Sequence, residues 1–286
     1  MAINLENHSN LQCFLDCTTP IVKTQNFPKS GFLKTNLLSE TPGPNPVKCF
    51  QLADLWDQYY EWSACGAGTR VHLYSGDTVV QYYVPYLSAI QLYTTTPRSF
   101  NGGTGVYYQK ENIKRLGELY FEYFEACSPY GRIPFYDKIY ELAHDVPGLT
   151  SLTSLELSPA SWMAVAWYPI YHIPTRCNVK ELSACFLTYH TISSLFQDDE
   201  FCKKEEIKCC KKQNFNKSSK FTALKTTSMS LPPFGLATYK VKGSLWLNSE
   251  RGDKEMAASL YSAADSWLKQ LAVQHHDFTY FTTHTV

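Results

Sequence analysis

The 286 residues carry 26 basic and 26 acidic side chains, and 44% of the chain is apolar with 15% aromatic. A net charge of zero excludes a chain-wide electrostatic attraction to nucleic acid or anionic membrane, and the length allows one large domain with a sizeable core. No run approaches the ~18 apolar residues of a membrane span.

Residues 1–47 hold Pro20, Pro28, Pro42, Pro44 and Pro46 among many Ser, Thr and Asn, so they are expected to be extended or disordered, with a short anchor at Leu11–Leu15. Met1–Cys17 shows no basic stretch followed by an apolar core, and the ten cysteines lack framework spacing. Both point to reduced thiols in the cytoplasm or nucleus rather than to a secreted chain. From Phe50 the spacing predicts a helix, with Phe50, Ala53, Trp56 and Tyr60 on one face, ended by Cys65-Gly-Ala-Gly68. Ser75-Gly76-Asp77 then separates two runs rich in Val, Tyr and Thr, a strand–turn–strand signal in which Pro85 marks an edge, a bulge or a break. Thr94–Gly105 reads as loop. Lys110–Glu125 reads as a helical start passing into a strand near Glu118.

Phe135–Val146 is an amphipathic helix between Pro134 and Pro147-Gly148. Trp162–Ile173 and Ser183–Ile192 read as two strands, forming a hairpin about Asn178 that sets Ala166 opposite His190, and Gly235–Leu247 as a third strand. Lys254–Val273 is a second amphipathic helix with Met256, Leu260, Ala264, Trp267 and Leu271 on a stripe, closed by His275-His276 in favourable dipole positions. The expected fold is α+β: residues 48–281 as a single domain with a largely antiparallel central sheet and a few packed amphipathic helices, a flexible insertion at 197–230, and a tail at 282–286.

Chemistry is sparsely signalled. His172 and His190 are the histidines within strands, and Glu122 or Asp137 could serve either as a carboxylate partner, but the hairpin keeps the two rings about 20 Å apart. Glu122 and Glu125 stand among aromatics, where burial raises a carboxyl pKa; an ion pair with Arg132 or Lys138 is the commoner fate. No metal site is expected, because Cys13-x3-Cys17 and Cys202-x6-Cys209-Cys210 lack zinc-ligand spacing. No cofactor is expected either, since the glycine pairs near 66 and 102 lack the P-loop and dinucleotide patterns. Lys203–Lys225 sets eight lysines against two glutamates, a stretch that could touch nucleic acid but reads first as a solvated insertion.

The segments LADLWDQYYEWSACGAGTRV, VVQYYVPYLSAIQLY, LYFEYFEACSPYGRIPFYDKI, LTSLELSPASWMAVAWYPIYHIP, CFLTYHTISS, LPPFGLATYK and SAADSWLKQLAVQHHDFTYF resemble, in order, a plant family catalogued as domain of unknown function 789. The resemblance runs from about Leu52 to Phe281 and implies a plant, intracellular source, with no activity, cofactor or catalytic residue attached. Aromatic richness without an organised acid, base, nucleophile or metal set points to a non-catalytic protein that binds another protein or a small ligand, with Tyr168, Tyr171, His172 and Tyr189 as binding candidates. The alternatives are an enzyme centred on His172 or His190 and a nucleic-acid-associated protein acting through the lysine stretch.

Overall fold

One long strand organises the architecture. The structure is a computed structural model that describes residues 8–27, 47–95, 116–170, 180–194, 227–241 and 243–284. Strand β4 (Thr78–Thr94) pairs along one side with β6 (Trp162–Ile170) and along the other with two shorter strands in succession, β3 (Ala67–His72) and β5 (Glu118–Phe124). Beyond β6 come β7 (Cys185–Thr191) and β9 (Gly235–Tyr239), completing a six-stranded antiparallel sheet. A smaller antiparallel sheet has the order β2 (Val47–Cys49), β1 (Ile21–Phe27), β8 (Thr227–Ser230). The fold is α+β, as the mixture of helical and alternating patterns requires.

Pro85 sits in the interval of β4 between its last pair with β3, at Tyr83, and its first pair with β5, at Ala89. A residue lacking an N–H is tolerated where one side of the strand has no ladder to complete. Immediately after it the register to β6 shifts between Leu87 and Ala89, leaving Ser88 as a bulged residue.

Both faces of the sheet are covered. On one face lie α1 (Asn10–Cys17), α2 (Leu52–Trp56), α3 (Tyr60–Cys65), α4 (Phe135–Asp145) and α5 (Gly148–Ser151), which contribute Leu11, Phe14, Leu55, Trp56, Ile139 and Leu149 to the larger core. The opposite face packs Trp162, Ala164, Ala166, Leu187 and Tyr189 against Ala264 and Leu268 of α6 (Asp253–Leu271) and Phe278 and Phe281 of α7 (His276–Thr283). Burial of apolar faces on both sides explains why β6 is apolar at every position up to Trp167.

Several expectations are corrected. The anchor expected at Leu11–Leu15 falls in α1, capped by Ser9 whose hydroxyl accepts from the Gln12 amide at 3.1 Å, but residues 21–27 are not coil, because β1 is a paired strand. The helix after Phe50 is interrupted by a 3-10 turn at Asp57–Tyr59, whose tighter winding shifts the phase. Tyr59 is therefore buried and Tyr60, expected inside, is 59% exposed. The stop holds: Gly66 takes φ +79° and its amide donates to the Trp62 carbonyl at 2.9 Å. The third predicted strand ends at Tyr239, where Lys240 turns left-handed at φ 57°. The Thr94–Gly105 loop beyond Thr95, the helical start at 110–115, the hairpin tip about Asn178 and almost all of the 197–230 insertion lie outside the described residues.

Candidate functional site

The predicted hairpin is antiparallel but in a different register. His190 faces Met163 rather than Ala166, three positions along β6. Because side chains alternate, an odd shift moves His190 to the other face. It is fully buried there, its Nδ1–H donating to the Leu231 carbonyl at 2.9 Å and its Nε2 accepting from the Thr188 hydroxyl at 2.9 Å. Thr188 in turn accepts from the Trp167 indole at 2.9 Å. Burial pushes the His190 pKa down to about 4. Glu122 pairs with Gln91, whose side chain meets Trp162, so it lies on the face opposite His190 and accepts from the Gln91 amide at 3.2 Å. Asp137 stands exposed in the first turn of α4. The structure thus does not bring His190 together with Glu122, and it leaves His190 as a satisfied core histidine. His172 and Tyr171 lie outside the described residues.

A different polar cluster occupies the centre of the α6–α7 face. It joins Ser88 from the β4 bulge, Arg132 from the segment after the Pro129–Gly131 turn, Tyr189 from β7, and His275 and Asp277 from the start of α7. The sequence reading missed it. His275 was expected to close the preceding helix, but that helix ends at Leu271, with Ala272 in the left-handed region at φ 54°. His275 is instead the N-cap residue of α7. Neither Glu122 nor Glu125 forms the expected ion pair with Arg132: the guanidinium is bidentate to Asp277, with both bonds 2.7 Å, and its Nε donates to the Cys127 carbonyl at 3.0 Å. Glu125 accepts from the Tyr123 hydroxyl at 2.9 Å and the Cys127 amide at 2.8 Å. Lys138 pairs with Glu141 at 2.9 Å.

The direction of each hydrogen bond follows from the charges. Burial alone would raise the Asp277 carboxyl, but Arg132 and the Ser88 hydroxyl hold it below its ordinary value. Asp277 is therefore an acceptor, and Ser88 donates to it at 2.5 Å. The Ser88 oxygen is then free to accept from His275 Nε2–H at 2.9 Å, while Tyr189, its phenol kept protonated by burial, donates to His275 Nδ1 at 2.7 Å. Burial lowers the His275 pKa to about 4. Serine, histidine and aspartate are thus joined in an order opposite to that of nucleophilic catalysis. There the hydroxyl must donate to the imidazole and the carboxylate must orient the far ring nitrogen. Here the carboxylate holds the serine proton, and the far nitrogen belongs to a tyrosine. All five residues are buried. The arrangement is a closed polar network that fixes α7 to the sheet.

Neither of the two tyrosine candidates within the described residues is exposed. Tyr189 is consumed by the network, and Tyr168 is half-buried beside Tyr86, Phe281 and the Arg132 guanidinium. Exposed aromatic surface lies instead across α3 and α4. Tyr60 meets Tyr136 edge-on with centroids 5.0 Å apart, and Tyr136 meets Tyr140 at 4.6 Å. The Tyr136 amide donates to the Ser63 hydroxyl at 3.0 Å, which fixes the two helices in register. Burial raises the Tyr140 phenol pKa first, and hydrogen bonds with Tyr136 and Asp57 raise it further.

Among the described residues no group of three or more His, Cys, Asp or Glu side chains is placed to hold a metal ion, and no helix is long and apolar enough to cross a membrane. A family model described as Protein of unknown function (DUF789) matches residues 9–113 and 102–281. The match begins at residue 9 and so takes in α1 and β1, which the similar segments quoted above did not reach. No curated protein and no solved structure matches the chain.

Proposed function

The chain belongs to the DUF789 family, a premise that carries no reaction with it, and we propose that it is a non-catalytic intracellular plant protein that binds a partner protein through an aromatic surface. The observation that carries the reading is the tyrosine ladder in which Tyr60 and Tyr140 are exposed and Tyr136, half-buried, links them. Tyrosine rings presented from packed helices lose little conformational freedom on binding and offer both apolar area and a hydroxyl. The test is an affinity capture from plant extract with the wild type and a Tyr60→Ser, Tyr140→Ser variant of unchanged thermal stability. The reading expects a partner retained by the first and released by the second. A set of captured proteins indifferent to the substitutions would sink it.

The enzyme reading retains one specific observation, the 2.9 Å contact between Ser88 and His275. The hydrogen-bond order and the burial of both residues argue against a nucleophile. A fluorophosphonate probe is accordingly expected to leave Ser88 unlabelled, and stoichiometric labelling at that residue would restore the catalytic alternative.

A further inference from the structure

We propose that the tyrosine face of α3 and α4 seats a lysine- and arginine-bearing extended segment of a partner protein. The inference rests on the binding reading above and adds the chemistry of the partner. Its ground is the charge that frames the rings. From Phe50 to Gly68 the chain has Asp54, Asp57 and Glu61 and no lysine or arginine. Helix α4 adds Asp137, Glu141 and Asp145 against a single cation, Lys138. That cation is occupied: its side chain is 13% exposed, pairs with Glu141, and places Nζ 5.9 Å from the centre of the Tyr123 ring. Arg132, thirteen residues before Asp145 in the same stretch, is buried on Asp277. Asp57, beside Tyr140, and Asp137, next in sequence to Tyr136, are exposed, and no described salt bridge uses either of them or Glu61.

Three partner chemistries can be compared on this surface. An apolar segment would bury Asp57, Glu61 and Asp137 without a counter-charge, which is unfavourable for each carboxylate. An acidic segment or a nucleic acid would meet like charge. A basic segment satisfies both features together. Its cationic heads pair with the carboxylates, and its guanidinium or ammonium groups lie on ring faces, whose quadrupole is negative. Tyr60 and Tyr136 stand at an interplanar angle of 72°, so they offer two walls to one cation.

Fluorescence anisotropy with a fluorescein-labelled peptide alternating Arg, Gly and Lys, against the full chain, tests this, with the same peptide carrying Glu for Arg and Lys as control. The basic peptide is expected to bind and to weaken as salt rises, and the acidic control is expected not to bind. Neutralising the face by Asp57→Asn, Glu61→Gln and Asp137→Asn is expected to weaken the basic peptide at least about tenfold and to flatten its salt dependence. Tyr60→Ala, at a position 59% exposed, is expected to weaken it about two- to fivefold. Equal binding of the acidic control, or unchanged affinity and salt dependence in the neutralised variant, overturns the proposal. A gain in basic-peptide affinity on deleting residues 203–225 also overturns it, because the chain's own lysine-rich stretch would then be the occupant. Failure of the basic peptide while the tyrosine-dependent capture described above succeeds removes only the partner's chemistry and leaves the binding reading in place.

Discussion

Arg132 and Asp277 form a buried ion pair, with side chains 2% and 3% exposed. Each is a buried ion whose only full compensation is the other, so removing one strands the second. Arg132→Ala or Asp277→Ala is expected to cost about 3–5 kcal/mol in urea unfolding, and Ser88→Ala a smaller ~1–3 kcal/mol because it leaves His275 Nε2–H without its acceptor. Equal, sub-kilocalorie effects across the three would contradict the network. The same residues carry a pH dependence. His275 and His190 titrate at about 4 when folded against 6.5 ordinarily, so between those values the unfolded chain holds more protons. Their contribution is complete above about pH 6.5 and is lost as pH falls toward 4, on the order of 3 kcal/mol for each ring over the whole window. Asp277, whose folded pKa is depressed, gives up its share only as pH falls through that lower value. Urea midpoints measured from pH 7 to pH 4 check this, and a flat profile would refute it. Little at this scale was legible in the sequence. His190 was readable as a core histidine from its strand. The break before His275 was not, since Ala272 makes a left-handed cap without the glycine that normally signals one.

Elements were more legible than their registry. The amphipathic stripe of α6 and the apolar faces of β6 follow from period alone. The β6–β7 register does not, because β6 is apolar on both faces and either alignment buries the same kinds of side chain. Nor can local pattern locate the Ser88 bulge, which exists only relative to a partner strand. Close approach of elements gives a sharper prediction. A Cβ on Gly235 would stand 2.8 Å from the Ala264 Cβ, with Ala264 backbone atoms at 3.2 and 3.3 Å. Gly235→Ala is therefore expected to push α6 off β9 and to destabilise by about 1–3 kcal/mol, with Gly235→Val worse; thermal unfolding of the two variants decides. At the other side of the sheet Asn10 caps β3, its Nδ2 donating to the His72 carbonyl at 2.9 Å and its Oδ1 accepting the His72 amide at 2.8 Å. Asn10→Ala is expected to cost about 1–3 kcal/mol and to speed hydrogen exchange at the His72 amide, whereas unchanged exchange there would mean α1 does not guard that edge.

At the scale of the whole molecule, the α+β class was readable from mixed periodicities and the anchor at Leu11–Leu15 from its apolar residues, while the pairing of β1 was not. Short polar stretches with proline look like coil, whereas within the anchor Phe14 stacks on Phe186 at 4.1 Å and meets Tyr83 edge-on at 5.1 Å inside the larger core. What α1 contributes is tertiary: Leu11, Phe14 and Leu15 are part of the larger core. Phe14→Ala is expected to cost about 3–5 kcal/mol, and a loss below 1 kcal/mol by urea unfolding would return residues 8–17 to the status of a dispensable arm. The buried ion pair also joins positions 145 residues apart. At synthesis rates of about 5–20 residues per second, Arg132 is made roughly seven to thirty seconds before its partner. Through that interval burial of Arg132 is unfavourable, because its counter-charge has not been made. The order of translation therefore makes arrival of α7 the step that supplies the counter-charge of the buried Arg132.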